Sequence, residues 1–199
     1  MEFVDVVRNR RMVRSYDPAR PVPRATTENL LNLAIRAPSA GHTQGREFLV
    51  LDDITSRDIF WSVTGDGPAD SWLTGMRSAP TLVLCLSDKS AYLDRYAEPD
   101  KGWTDRAEAR WPVPYWDVDT GMAAMILLLA AEDAGLAACF FGVPPERRDA
   151  LFTAFAIPDR LSAVGVVSLG HGAPDRRSPS LRRGRRPLAE VVRYGSFRG

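Results

Sequence analysis

The chain has 199 residues, enough for one domain with a sizeable hydrophobic core. Its 26 basic and 25 acidic side chains give a formal net charge of +1, which argues against a general nucleic-acid surface because such surfaces are strongly basic. Two cysteines argue against a disulfide framework. The longest apolar run, 122–131, is too short to cross a bilayer. With no N-terminal hydrophobic signal, we expect a cytoplasmic, reduced protein that binds neither nucleic acid nor membrane.

Basic residues cluster at the two ends of the chain, in 8–24 and 176–198. A short helix is predicted over 2–10, and Arg10, Arg11 and Arg14 crowd its end. Guanidiniums this close repel one another, and a dianionic phosphate would relieve that repulsion through bidentate hydrogen bonds. A solvated basic helix face would explain the same residues. We favour the interpretation in which both basic ends meet at one site.

Three prolines over 18–23 predict an extended connection before the second helix. Thr26 or Thr27 can cap that helix, which must end before Pro38. A Pro/Ser/Gly loop, 37–44, then leads to a strand over 47–51. A second, buried strand is predicted over 81–86, by its apolar and β-branched residues.

The segment 87–117 shows no steady period and carries three of the five tryptophans. Loops of this length inside a compact domain are commonly lids or binding loops, and aromatic walls suit flat ligands. A surface excursion held by aromatic anchors is the alternative. We predict a lid with substrate-side rings at Trp103, Trp111, Tyr115 and Trp116.

Residues 119–133 are apolar around most of their circumference, which predicts a core helix ended by Gly135. A strand over 136–141, a helix over 145–155 and a strand over 163–169 follow. Strands separated by helices indicate the α/β or α+β class. Both cysteines lie in apolar runs, so buried free thiols are expected. The tail 178–199 is basic and too polar to fold alone, so we expect it to lie on another surface.

Five segments together resemble the nitroreductase-like FMN-dependent flavoprotein family, in that family's order and spacing. They are 10–14, the loop 37–44, the helix 119–133 running into Gly135-Leu136, Leu169-Gly170-His171, and 185–188. The resemblance covers nearly the whole chain as a single domain, 1–199. It implies an α+β fold with a mostly antiparallel sheet flanked by helices. It also implies an intertwined homodimer with two FMN sites at its interface and the tail 178–199 packed on the partner subunit.

The resemblance also implies roles for residues. Arg10, Arg14 and Arg185 would hold the FMN phosphate, with Arg11 and Arg186 as neighbours. The loop would contact the ribityl chain and ring from the partner subunit through Pro38, Ser39, Ala40, His42 and Gln44. Phe141-Gly142 matches the place where family members aim a backbone N–H at flavin N5, which stabilises developing negative charge. A plain turn glycine is the alternative for Gly142.

The chain departs from the family pattern at three places. Many members have Ser where this chain has Met12, and losing one neutral hydrogen bond there costs on the order of 1 kcal/mol. His42 replaces Asn and is either a proton donor or, as we favour, a residue that only hydrogen-bonds the flavin. Arg46 replaces Trp and either adds positive charge near the ring or faces water. We expect no side-chain nucleophile and no metal.

The function implied by the resemblance is that of an FMN-dependent oxidoreductase. It would take hydride from NAD(P)H onto flavin N5 and pass two electrons, by a ping-pong mechanism, to a nitroaromatic or quinone acceptor. On the same fold, a deazaflavin could replace the donor, or the reaction could be oxidative. A protein that sequesters a flavin or deazaflavin with little turnover is the alternative from another class. Reduction of bound flavin by NAD(P)H discriminates between them.

Overall fold

A computed structural model of the chain describes residues 1–65, 71–175 and 178–197. Arg176, Arg177 and Arg198 of the C-terminal basic cluster lie outside the described residues. The strands are β1 (Arg46–Leu51), β2 (Thr81–Asp88), β3 (Ala137–Phe141) and β4 (Leu161–Gly170). The helices are α1 (Phe3–Asn9), α2 (Arg24–Ala34), α3 (Ile54–Thr64), α4 (Ser71–Arg77), α5 (Lys89–Ala97), α6 (Tyr115–Asp133), α7 (Arg148–Ala154) and α8 (Leu188–Val191).

The four strands form one antiparallel sheet in the order β1-β2-β4-β3. β2 is buried along its whole length, and its side chains alternate between two cores. Leu82 and Leu84 enter a core with α3, α4 and α7, whereas Val83 and Cys85 enter a core with α2 and α6. The sheet therefore lies between two helical layers, and the predicted α+β class and all four predicted strands are confirmed.

Helix α6 crosses one face of the sheet and explains its apolar sequence. Leu127 and Leu128 pack into the core, while Val118, Met122 and Met125 form an exposed apolar stripe on the same helix. The helix begins at Tyr115, four residues before the predicted start. No helix within the described ranges is both long and apolar enough to span a membrane.

Three sequence-based boundaries were wrong. Helix α2 begins at Arg24, because Pro23 presets the backbone at its N-cap, and Thr27 lies buried inside the helix. The segment 87–117 is not irregular throughout: Asp88 accepts a hydrogen bond from the Ala91 N–H and starts α5. Residues 145–155 divide into a 3₁₀ turn and the shorter helix α7.

Both cysteines are free and buried, as predicted. Burial raises the pKa of the Cys85 thiol to about 12. Burial also raises the pKa of the Cys139 thiol. Both thiols therefore stay protonated at neutral pH. Neither is reactive in that form, because the thiolate is the nucleophile.

Candidate functional site

The segment after α1 lies along the free edge of the sheet. Met12 pairs with Ala138 as a parallel bridge, and the Val13 N–H donates to the Ala138 carbonyl at 3.0 Å. The Phe140 N–H points at the Met12 sulfur at 3.3 Å. Met12 is thus an anchor on β3. The arginines on either side of it are held beside the strand that ends at Phe141.

Tyr16 fixes the end of this segment. Its hydroxyl donates to the Val13 carbonyl at 2.7 Å and lies 2.7 Å from Ser168 Oγ, and burial raises its pKa. The Arg14 N–H donates to Asp175 at 3.0 Å. Gly75 of α4 abuts the same backbone, since a Cβ there would lie 2.1 Å from the Arg14 carbonyl oxygen. The Arg14 backbone is therefore held from two sides.

The three early arginines have different environments. Arg11 is exposed, whereas Arg10 and Arg14 are half-buried. Arg14 Nη1 donates to the Met12 carbonyl at 3.1 Å, but Arg10 Nη1 is buried without a hydrogen-bond partner among the residues that the structure describes. An unmet buried donor costs about 1–3 kcal/mol, more when charged. Arg10 therefore fits an anion such as a phosphate, which supplies the missing acceptors.

The loop 39–45 is compact and strained. Ser39 Oγ accepts from the Gln44 N–H at 2.9 Å, closing the loop on itself. Gly41, His42 and Gln44 have left-handed φ values of 62°, 54° and 56°, and such conformations cost roughly 1–3 kcal/mol each for non-glycine residues. His42 and Gln44 are exposed, with 3.1 Å between His42 Nε2 and Gln44 Nε2. The predicted polar candidates are thus presented together on one surface.

Neighbouring elements hold the loop from outside. The Ala40 N–H donates to Asp119 Oδ2 at 2.8 Å, and Arg95 Nε donates to the Gly41 carbonyl at 3.0 Å. Arg46 donates to the Ile35 and Ala37 carbonyls at 2.6 and 2.8 Å, so it satisfies carbonyls at the end of α2 rather than facing water.

The end of β3 adjoins a group of aromatic side chains. Phe141 stacks on Trp61 at 5.8 Å between ring centroids and meets Trp72 edge to face at 6.0 Å. Trp72 is 40 % exposed. Gly142 is exposed, and a Cβ added there would meet no heavy atom within 4 Å. The space in front of Gly142 is therefore open to a ligand.

The rings predicted on the substrate side pack against one another. Trp111 lies 4.6–6.0 Å from the rings of Tyr92, Tyr96, Trp103, Tyr115 and Trp116, which we call the aromatic cluster. Trp116 is buried, and Tyr115 is exposed. Ion pairs such as Arg106–Asp94 and Lys89–Glu108 join the same segment on its surface. These rings form a small core of their own.

The C-terminal arm, 178–197, is exposed. Arg185 lies in the solvent, and Arg186 pairs with Glu190 of the arm itself at 3.3 Å. Tyr194 and Phe197 are 90 % and 92 % exposed, and Leu181, Leu188 and Val191 are exposed as well. An arm with so much uncovered apolar surface is typical of a segment that packs on another chain.

Comparison with known proteins identifies the family. The model of the nitroreductase family matches residues 7–171. The chain belongs to the nitroreductase family. A relative from Archaeoglobus fulgidus, provisionally named an NADH dehydrogenase/NAD(P)H nitroreductase, is 30 % identical over 172 residues, 85 % of each chain. A relative with the same name from Methanothermobacter thermautotrophicus is 25 % identical over 87 % of this chain and 78 % of its own.

Solved structures of nitroreductases share the fold. One from Exiguobacterium sibiricum, in complex with FMN, has a TM-score of 0.76 at 20 % identity and covers 98 % of this chain and 97 % of its own. One from Desulfovibrio desulfuricans, also in complex with FMN, has a TM-score of 0.71 at 26 % identity. The match covers 99 % of this chain and 98 % of the Desulfovibrio desulfuricans chain.

Three residues at this site were missed by the sequence analysis. Asp119 was assigned only to a core helix, although an acidic residue in an otherwise apolar run was a usable signal. Trp72 and Gly75 lie in α4, which was not predicted, and they stand three residues apart on one helical face. Nothing in the local sequence indicated that this face meets both Arg14 and Phe141.

Proposed function

We propose that this chain is an FMN-dependent oxidoreductase that uses NAD(P)H to reduce a small electron-poor acceptor. The observation that carries the proposal is the buried Nη1 of Arg10, which has no hydrogen-bond partner among the described residues, at the sheet edge that leads to the open space at Gly142. Family membership and the FMN found in the related Desulfovibrio desulfuricans structure support flavin as the group that fits there.

Each part of the proposed site has a separate task. Arg10 and Arg14 would bind the phosphate, because guanidiniums form strong charge-assisted hydrogen bonds to it. Ser39, His42 and Gln44 would hydrogen-bond the polar edge of the cofactor, and the Gly142 N–H would donate to N5. FMN, when bound, supplies a two-electron carrier that accepts hydride from NAD(P)H and then reduces the acceptor, which is a ping-pong cycle.

The proposed assembly is a homodimer. The exposed stripe of α6 and the exposed apolar side chains of the arm offer surfaces that a second copy would cover. The arm of one subunit would then bring Arg185 to the phosphate that Arg10 and Arg14 of the other subunit bind. This arrangement accounts for two basic ends in a chain whose net charge is only +1.

The rings near the site support one class of acceptor. We propose a nitroaromatic or quinone, whose flat ring would stack on aromatic side chains. Tyr115 at the edge of the aromatic cluster is exposed, and Trp72 stands beside Phe141. Trp111 would support the exposed Tyr115 ring from the protein side, and Trp103 and Trp116 pack in turn against Trp111.

The second candidate function is sequestration of a flavin or deazaflavin with little turnover. The observation that favours it is the dense packing of the aromatic cluster, with Trp116 buried among rings of its own segment. A cluster packed this tightly would not move aside, and it would leave little room for a nicotinamide to reach the bound flavin.

Steady-state kinetics with FMN-loaded protein test the proposal. Initial rates of NADPH or NADH oxidation are measured at several fixed concentrations of a quinone and of a nitroaromatic compound. The proposal predicts parallel double-reciprocal lines and no activity in flavin-free protein. Tight FMN binding without oxidation of either nucleotide would instead identify the sequestering function.

A further inference from the structure

The loop 39–45 is attached to the rest of the molecule through a buried carboxylate. Asp119 is 2 % exposed, and its Oδ2 accepts hydrogen bonds from the Ala40 N–H at 2.8 Å and from the Tyr92 hydroxyl at 2.7 Å. Asp119 has no ion pair within the described part of the chain. A buried carboxylate is costly unless it is well hydrogen-bonded. These two donors are therefore what makes the position tolerable.

Tyr92 connects the carboxylate with the other end of the same loop. It is fully buried, and a Cβ added at Gly45 would lie 2.7 Å from its ring, so ring and loop backbone are in close contact. Its ring also meets Trp111 and Trp116 edge to face at 6.0 and 6.3 Å. Burial and the hydrogen bond to Asp119 raise the pKa of the Tyr92 hydroxyl, so it remains a donor at neutral pH.

The loop needs such attachment because its conformation is strained. Left-handed residues such as His42 and Gln44 persist only where the surroundings over-determine them. Attachment through Ala40 at one end and Gly45 at the other presents the loop in a fixed shape before any ligand arrives. A loop that is already ordered spends less binding free energy on ordering.

We propose that Asp119 is the positioning residue of the cofactor-contacting loop and that Tyr92 orients it. The aromatic cluster thus acts on the site through Tyr92, as a fixed support behind the loop. This inference rests on the proposed function, because it takes 39–45 to be a flavin-contacting loop. It adds to that function roles for Asp119 and Tyr92, to which the family resemblance assigns none, in a buried network that joins the loop to α5 and α6.

Four variants test the network: Asp119→Ala, Asp119→Asn, Tyr92→Phe and, as a matched control, Tyr96→Phe. Tyr96 lies one turn along α5, and its ring contacts Gly41, but its hydroxyl has no hydrogen bond to any described residue. The readouts are FMN affinity, from quenching of flavin fluorescence, and amide hydrogen exchange of a peptide that covers 39–45. Exchange of β2 peptides reports global stability.

Asp119→Ala is expected to weaken FMN binding about tenfold, which corresponds to about 1.4 kcal/mol, and to speed exchange of the loop but not of β2. Asp119→Asn should recover most of the affinity, because its amide oxygen can accept from Ala40. Tyr92→Phe should lie between wild type and Asp119→Ala, and Tyr96→Phe should match wild type.

Unchanged loop exchange and FMN affinity in folded Asp119→Ala would overturn the proposal, as would equal losses in Tyr92→Phe and Tyr96→Phe. If Asp119→Ala does not fold, the comparison of the two Tyr→Phe variants decides. If the wild type binds no FMN, the proposed function fails. Hydrogen exchange of the apoprotein then still decides whether Asp119 holds the loop.

Discussion

Arg10 and Arg11 are neighbours in the chain with different surroundings. Arg11 is exposed, whereas Arg10 has a buried Nη1 with no hydrogen-bond partner among the described residues. The sequence predicts a basic cluster but not which guanidinium has an unmet donor, because that depends on how the segment lies on β3. The same holds for Met12, whose sulfur receives the Phe140 N–H.

At the residue scale, Arg10→Ala is expected to weaken FMN binding about 10- to 100-fold, since hydrogen bonds to charged groups contribute about 1.5–3 kcal/mol. Arg11→Ala removes the same charge from an exposed position and should change affinity less than threefold. Isothermal titration calorimetry with FMN measures both. Equal losses in the two variants would indicate a general charge effect and contradict the assignment of Arg10.

Helix α4 makes two contacts at the candidate site that its local sequence does not predict. One face carries Gly75, against the Arg14 carbonyl, and Trp72, against Phe141. Strand β2 and helix α6 were predictable from sequence because their apolar patterns are long and regular. Helices α3, α4 and α5 were missed, because helices with mixed apolar and polar faces give a weak periodic signal. Of these helices, α4 is the one that touches both Arg14 and Phe141.

Gly75→Ala tests this contact at the element scale. The new Cβ would stand 2.1 Å from a backbone oxygen, so either α4 or the Arg14 segment must shift. We expect destabilisation by about 1–3 kcal/mol, the usual range for overpacking, together with weaker FMN binding. Thr74→Ala, exposed on the same helix, should change stability by less than about 0.5 kcal/mol. Urea unfolding compares them, and a neutral Gly75→Ala would contradict the close approach.

Asp88 caps the N-terminus of helix α5, which carries Tyr92, and this cap is sensitive to acid. Burial raises the pKa of Asp88, but hydrogen bonds from Ser90, the Ala91 N–H and Arg160 outweigh burial and hold it below its usual value. A carboxyl with a lowered pKa contributes stability above its unfolded pKa of about 3.9. That contribution is lost as pH falls through the folded-state pKa.

Wild type should therefore exceed Asp88→Asn in free energy of unfolding by a constant amount down to about pH 5, and the difference should shrink below about pH 4. Denaturant unfolding at a series of pH values measures it. A difference that stays constant into the acid range would show that the Asp88 pKa is not lowered.

The molecule as a whole exposes an unusual amount of apolar side-chain surface to solvent. The arm, the stripe on α6 and Phe3 of α1 all present large apolar side chains to solvent. The sequence predicts that the tail cannot fold alone, from its basic composition. The surface on which the tail packs could not be predicted from residue patterns, because a short, basic and irregular segment carries no periodic signal that specifies the surface covering it.

If the proposed dimer forms, removal of 178–199 is expected to give a monomer or a more weakly associated dimer that retains FMN poorly. Arg185→Ala in the full-length chain should reduce FMN affinity about tenfold without changing the oligomeric state. Sedimentation velocity and flavin content measured on both proteins separate packing from phosphate binding. A truncated protein that remains dimeric and flavin-replete would contradict the role of the arm.

The most direct test of the account is an anaerobic absorbance spectrum of the FMN-loaded protein before and after addition of NADPH and, separately, NADH. The account predicts that one or both nucleotides bleach the flavin band and that a nitroaromatic or quinone restores it. Bound flavin that stays oxidised with both nucleotides would contradict the NAD(P)H-dependent reductase. Absence of flavin binding would contradict the site itself.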